Sequence, residues 1–322
     1  MGYKSFFAQG IPQQIWEKSY DFKERIMGYP KLHEVFRKKN RYDLDLRNPQ
    51  THNQRITHKK ITDRNPLITL TSDKLKVRKY VRNKLGYSNA EEILIPQFFI
   101  SKTGRDIPTK DWEFEFFLKA NHASGFNKLI APGTDPAEVQ QLAVHWLSQS
   151  YGQILHEWAY RDIPRRIICE KVLRNENGTI PMDVKLHFFN GKVKMISFLS
   201  DRFTDSFVLF TDENFVEIPG AQLRGIKKMG FIPDLPHFDK MKRIGEVFAS
   251  DFTYCRVDFY SMGSKVYLGE LTHYPGSGIN RFDDFDTDLA LGELWKPENK
   301  SLNFFEVLAK VKSGSISFVN NK

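Results

Sequence analysis

Two periods of apolar residues divide this chain of 322 residues. Helical spacing at Val77, Tyr80, Val81 and Leu85 predicts a helix capped by Thr71 or Ser72, with Asp73 and Lys74 in its first turn and Gly86 as its stop. The same stripe recurs at Val139, Leu142, Ala143, Trp146 and Leu147, behind a capping-box start at Asp135, Pro136 and Glu138. Met241, Ile244, Val247 and Phe248 predict a further helix, and residues 289–294 and 304–311 two more. Residues 1–40 read as helical, with Trp16, Tyr20, Phe22, Ile26 and Met27 as burial points. Asn48-Pro49 and Asn65-Pro66 bracket a polar segment and read as loop or boundary marks, because the residue before proline is pushed out of the helical region.

Period-two patterns predict strands elsewhere. Residues 93–101 and 113–121 are apolar candidates, 166–173 reads as buried, and Asp183, Lys185 and His187 alternate with Val184, Leu186 and Phe188 before the turn signal Asn190-Gly191 and a partner strand over 192–198. The most informative pair is 254–260 with 266–272. Tyr254, Arg256, Asp258 and Tyr260 share one face of the first, and Val266, Leu268, Glu270 and Thr272 one face of the second. A three-residue loop at Met262-Gly263-Ser264, or one step on, makes the register sum even, which sets Asp258 opposite Glu270 or one diagonal step away. Two such carboxylates repel unless a cation sits between them, and hard oxygen ligands suit Mg2+. The plain alternative is the solvated polar face of an antiparallel sheet.

Composition narrows the class. No apolar run is long enough to span a membrane, and no hydrophobic signal region opens the chain, where Phe6 also stands in place of the Ser or Thr of a myristoylation signal, so a soluble cytoplasmic protein is expected. Cys169 and Cys255 both lie in apolar strands and are expected to be buried thiols, and the nine histidines lack zinc-ligand spacing. The net charge of +9 is concentrated: residues 1–86 hold 20 Lys and Arg against 8 Asp and Glu, a surplus of 12 that leaves the remainder at −3. With no nucleic-acid-binding motif beside it, this basic third points first to an anionic small molecule or glycan. Lys119 leaves a strand beside the small-residue loop Asn121-His122-Ala123-Ser124-Gly125, a combination that suits phosphate oxygens.

Taken together over residues 41–295, the order and spacing of these pieces resemble the ATP-grasp superfamily and, within it, the TupA-like branch associated with teichuronopeptide biosynthesis. The likeness rests on Asn48-Pro49-Gln50-Thr51, Asp63-Arg64-Asn65-Pro66, Asp73-Lys74 with Val77-Arg78, Lys119 through Ser124-Gly125, the strand 167–170, Asp183-x-Lys185 with Phe189-Asn190-Gly191, Arg256-Val257-Asp258, Gly269-Glu270-Leu271-Thr272 and Pro275-Gly276. It implies an α+β fold in which two lobes with antiparallel sheets clamp ATP, plus a mainly helical basic N-terminal segment. The expected divisions are 1–70, 71–172 and 173–322.

By the same resemblance, Lys74 and Lys119 hold ATP phosphates, Ser124 and Gly125 belong to a glycine-rich lid, and Glu170, Lys171 and Leu173 form the hinge around adenine. Asp183 sits near the ribose and Lys185 near the phosphates. Asp258, Glu270 and Thr272 bind Mg2+, and Arg256 stabilises charge on an acyl phosphate or tetrahedral intermediate. Gln54-Arg55, Ala120, Ala123, Thr272 and His273 depart from the usual pattern, and Ala123 is expected to stiffen the lid. The implied activity is an ATP-dependent carboxylate–amine ligase joining an amino acid or amino alcohol to a uronic acid of a capsule or cell-wall glycan. Peripheral contact with membrane-associated glycan machinery belongs to this expectation. Alternatives are a sugar kinase-like phosphotransferase and a non-catalytic basic adaptor for nucleic acid or anionic glycan.

Overall fold

The computed structural model describes residues 13–200, 207–222 and 226–319. Six helices precede the first strand: α1 (Gln13–Ile26), α2 (Pro30–Asn40), α3 (His52–Thr62), α4 (Pro66–Ser72), α5 (Val77–Leu85) and α6 (Tyr87–Ile93). An antiparallel sheet in the order β1-β4-β2-β3 follows, built from β1 (Gln97–Ser101), β2 (Phe116–Ala120), β3 (Asn127–Ile130) and β4 (Ile167–Lys171), with α7 (Pro136–Ser148) on its apolar face. The larger sheet contains β5 (Asp183–Phe189), β6 (Lys192–Ser200), β7 (Phe207–Thr211), β8 (Lys227–Lys228), β9 (Tyr254–Met262) and β10 (Lys265–Thr272) in the order β10-β9-β5-β6-β7-β8, and only its β7–β8 pair is parallel. Helix α8 (Phe238–Ala249) packs on β5 and β9, and α9 (Phe285–Glu293) and α10 (Phe304–Lys312) follow.

Local chemistry explains the register of the larger sheet. Asn190 and Gly191, with φ of 49° and 77°, form the two-residue turn that pairs Phe189 with Lys192. Both central residues of such a turn need positive φ, which asparagine and glycine tolerate. Strand β5 is buried along its whole length because it lies in the middle of the sheet beneath α8.

Several elements differ from expectation. Thr71 and Ser72 end α4 instead of capping α5; Asp73 turns the chain between the two helices by accepting from the backbone N–H groups of Leu75 and Lys76, at 2.9 and 3.3 Å. Ile93 closes α6, so the first strand starts at Gln97. Asp135 caps α7 through the N–H of Ala137, while Glu138 pairs with Lys128 at 2.8 Å and completes no capping box. Val247 is exposed on α8. Phe22, Ile26 and Met27 are exposed too, because α1 docks through its polar face; the side chain of Trp16 lies outside the described residues, as does the segment around Phe6.

The polar segment between Asn48 and Asn65 is helix α3, and most of it is buried. Hydrogen bonds do there what apolar packing does elsewhere. Thr51 and Gln54 form a capping box, and Asn53 donates to Asp288 from its backbone at 3.0 Å and its side chain at 2.8 Å. The expected boundary at residues 70 and 71 marks no break in packing: Ile56, Ile68, Val77, Tyr80, Ala90 and Leu94 share one core with β9, β10 and α9, whereas the smaller sheet and α7 enclose a second.

Candidate functional site

The hairpin β9–β10 carries the centre of the site. Met262 pairs with Lys265 across a two-residue loop, Gly263-Ser264, which by itself gives an odd register sum and would set Glu270 on the core face. Gly269 prevents this. It is the extra residue of a β-bulge between Leu268, opposite Phe259, and Glu270, opposite Asp258. Val266, Leu268 and Leu271 thus face the core, while Glu270 and Thr272 face away from it, so the four residues expected on one face divide into two pairs. A Cβ at 269 would stand 3.2 Å from both the Asp258 carbonyl oxygen and the Tyr260 ring.

Across β5, β9 and β10 two rows result: Lys185, Asp258 and Glu270 in one, His187, Arg256 and Thr272 in the next. Arg256 Nε and Nη2 donate to the two oxygens of Asp258, each at 2.7 Å, and Nη2 lies 3.5 Å from Glu270 and 3.1 Å from Thr272 Oγ1. Lys185 Nζ donates to Asp258 at 2.7 Å and to Asp183 at 2.6 Å. The cation between the two carboxylates is therefore a guanidinium of the chain itself. Burial opposes ionisation of Asp258, but Arg256 and Lys185 outweigh it and hold the carboxyl well below the usual range. Burial likewise opposes the charge on Arg256, yet Asp258 holds its proton more firmly than usual. His187, buried between Tyr254 and Ser197, is kept neutral chiefly by desolvation.

This face of the larger sheet and the polar face of the smaller one enclose a cleft of about 300 Å³. Lys74, Lys119, Glu170, Lys171, Leu173, Asp183, Asp258 and Glu270 all line it. Lys119 forms an ion pair with Glu170 from the neighbouring strand, and Lys74 donates to the carbonyl of Ala123 at 2.5 Å. Burial lowers the pKa of Lys74, opposed by the charge of Glu270. Ser124 and Gly125 sit in the exposed turn between β2 and β3, outside the lining, and Ala123 beside them is buried. The amide of Lys171 donates to Pro96 at 2.9 Å, which commits it within the chain.

Sequence reasoning passed over Phe117, Asn127, Tyr260 and the pair Ile95 and Leu199 of the same cleft. Phe117 was available from alternation, since it shares a strand face with Lys119. Lys60 was hidden by its polar helix: fully buried, it donates to the Ser277 carbonyl at 2.7 Å and hydroxyl at 2.9 Å, and burial lowers its pKa to about 8. It thereby ties α3 to the turn that follows β10. His273, a departure from the expected pattern, is buried against Phe252 and shares a hydrogen bond of 2.7 Å with Thr71.

Comparison with known proteins gives three findings. No curated protein sequence matches the chain. Among solved structures it is similar to the D-alanine–D-alanine ligase from Bacillus anthracis, with a TM-score of 0.42 and 11% identity over 76% of this chain and 68% of that one. The corresponding ligase from Helicobacter pylori gives 0.41 and 16% over 71% and 62%, and the ATP-grasp ligase PsnB, complexed with a variant of its minimal precursor, Mg and ADP, gives 0.40 and 10% over 76% and 60%. The family model of the TupA-like ATP-grasp proteins matches residues 54–296, a span that holds both sheets and every lining residue of the cleft. By that match the chain belongs to the TupA-like ATP-grasp family, and its fold is the α+β ATP-grasp fold.

Proposed function

We propose that the chain is an ATP-dependent carboxylate–amine ligase that activates its acid as an acyl phosphate. The observation that carries this reading is that Asp258 and Glu270, paired across the hairpin and held by Arg256 and Lys185 behind the lining, face Lys74 and Lys119 across one cleft. A carboxylate resists attack by an amine because its oxygen is a poor leaving group. Transfer of the γ-phosphoryl group of ATP to that oxygen creates a good one; the amine nitrogen then bonds to the carbonyl carbon, loses a proton, and phosphate departs. ADP, phosphate and an amide are the products.

Each basic group has a separable task. Lys74 and Lys119 would neutralise phosphate oxygens, Lys119 by exchanging its partner Glu170 for the nucleotide. Arg256, fixed by its two bonds to Asp258, would hold the oxygen that gains charge when the amine adds. The donors also fit Mg2+. Arg256 and Lys185 occupy three of about four lone-pair positions on Asp258, and one oxygen of Glu270 makes no hydrogen bond among the described residues. Asp258 and Glu270 would hold the ion, with Thr272 a neutral neighbour. When bound, it would spread the charge of the transferring phosphoryl group.

A uronic acid of a capsule or cell-wall glycan is the proposed acid, and an amino acid or amino alcohol the amine. The TupA-like membership and the basic N-terminal third support an anionic glycan substrate, free, nucleotide-linked or lipid-linked, in a cytoplasmic reaction. The test is to supply ATP, Mg2+ and a panel of uronic acids with hydroxylamine in place of the amine. ADP and a hydroxamate formed together are expected. A stable phosphorylated sugar without hydroxamate would make the protein a phosphotransferase.

A further inference from the structure

Helix α1 sorts its side chains by charge. Its acidic residues, Glu17, Asp21 and Glu24, recur at a spacing of four and three and so share one face. That face is docked on the segment before β4. Glu17 accepts from Ser150 at 2.5 Å and Gln153 at 3.2 Å, Asp21 contacts His156 and Arg161 at 2.9 Å each, and Glu24 is buried. Tyr20 stacks on His156 from the same side.

The opposite face therefore carries no negative charge among the described side chains. Phe22 and Ile26, one turn apart, form an outward apolar stripe, and Met27 follows just past the end of the helix; the three are 67%, 69% and 59% exposed. At about 100° per residue, Lys23 and Arg25 fall on the two flanks of that stripe. Both are exposed, as are Lys38, Lys39 and Arg41 of the following helix and its cap, and none of the five has an ion-pair partner among the described residues. An apolar stripe between cationic flanks is the pattern of a helix that lies in a lipid interface.

We propose that this face is a docking surface for an anionic lipid bilayer, with Phe22, Ile26 and Met27 entering the headgroup layer and Lys23 and Arg25 meeting lipid phosphates. Charge complementarity selects this occupant. A second copy would bring identical cationic flanks together, which is repulsive. No helix among the described residues is long and apolar enough to cross a membrane, so the contact is peripheral. The surface shares no residue with the nucleotide cleft, and its test is independent of the ligase reading.

The experiment is co-sedimentation of the full chain with vesicles of phosphatidylcholine alone, or with about one third phosphatidylglycerol. Binding is expected only with the anionic lipid and should fall as salt rises from about 0.1 to 0.5 M. Phe22→Ser with Ile26→Ser, which leaves net charge unchanged, should weaken it about tenfold or more; Lys23→Glu with Arg25→Glu should do at least as much. Circular dichroism of each variant should match the wild type, since these side chains point outward. Wild type that ignores anionic vesicles would overturn the proposal, as would serine variants that bind undiminished. Self-association that the serine variants abolish, without vesicle binding, would assign the face to a second copy.

Discussion

Asp258 neutralises two buried cations at once, and this makes it a structural residue as well as a candidate ligand. Replacing it with asparagine removes the carboxylate that Arg256 and Lys185 share, leaving Lys185 with Asp183 alone and Arg256 with Glu270 at 3.5 Å. Removing one partner of a buried ion pair typically costs about 3–5 kcal/mol, so Asp258→Asn should be measurably less stable in denaturant titrations. The sign of its pH dependence follows. Because the folded-state pKa is depressed, the folded protein binds fewer protons than the unfolded chain on the acid side, and stability there rises with pH. The contribution is whole above about pH 4 and is lost as pH falls through the depressed value. Unfolding free energies measured from about pH 5 to pH 2 should therefore draw closer for wild type and variant; a constant gap between them would contradict the ion-pair network. Glu270, whose side chain is 37% exposed, is the cleaner probe of function.

At the level of elements, the bulge at Gly269 decides which side chains reach the cleft. A side chain there must push against the Asp258 carbonyl and the Tyr260 ring, so Gly269→Val should destabilise by about 1–3 kcal/mol. Deleting Gly269 removes the unpaired residue and keeps Glu270 opposite Asp258, so the deletion should be the milder change. A valine variant as stable as wild type, in the same unfolding assay, would contradict the bulge. Sequence alone made the pairing of Asp258 with Glu270 legible, because the even register sum expected from the turn is the sum that the bulge supplies beyond Gly269. It missed the route, since a glycine inside an alternating strand signals a bulge only to a reader who gives up the regular ladder. Helices α7 and α10 were legible for the same reason as the strands, because their buried faces are apolar, whereas α9 was legible only in its apolar run Leu289–Leu291 and begins earlier, at Phe285. Helix α3 was not, because its burial is satisfied by hydrogen bonds from Thr51, Asn53, Gln54 and Lys60, which leave no apolar stripe to read. On α1 the apolar residues were legible and their direction was not, since periodicity finds a stripe without saying what covers it.

For the whole molecule, two sheets with separate cores meet across a cleft whose walls carry opposite tasks. The smaller sheet brings Lys119, and the larger one Asp258 and Glu270 with Arg256 behind them, while Lys74 enters from the link between α4 and α5. A ligand bridging the walls should stabilise both cores together; at about a hundredfold over its Kd, it would add about 2.7 kcal/mol to the folded state. In the proposed reaction this cleft takes a nucleotide together with a divalent ion held by the Asp258–Glu270 pair. Calorimetric titration of ATP with and without Mg2+, on wild type and Glu270→Gln, tests it most directly. Saturable binding that requires Mg2+ is expected in the wild type, strongly weakened in a variant whose unfolding midpoint is unchanged. Absence of binding at millimolar ATP, or binding indifferent to both Mg2+ and the substitution, would contradict it.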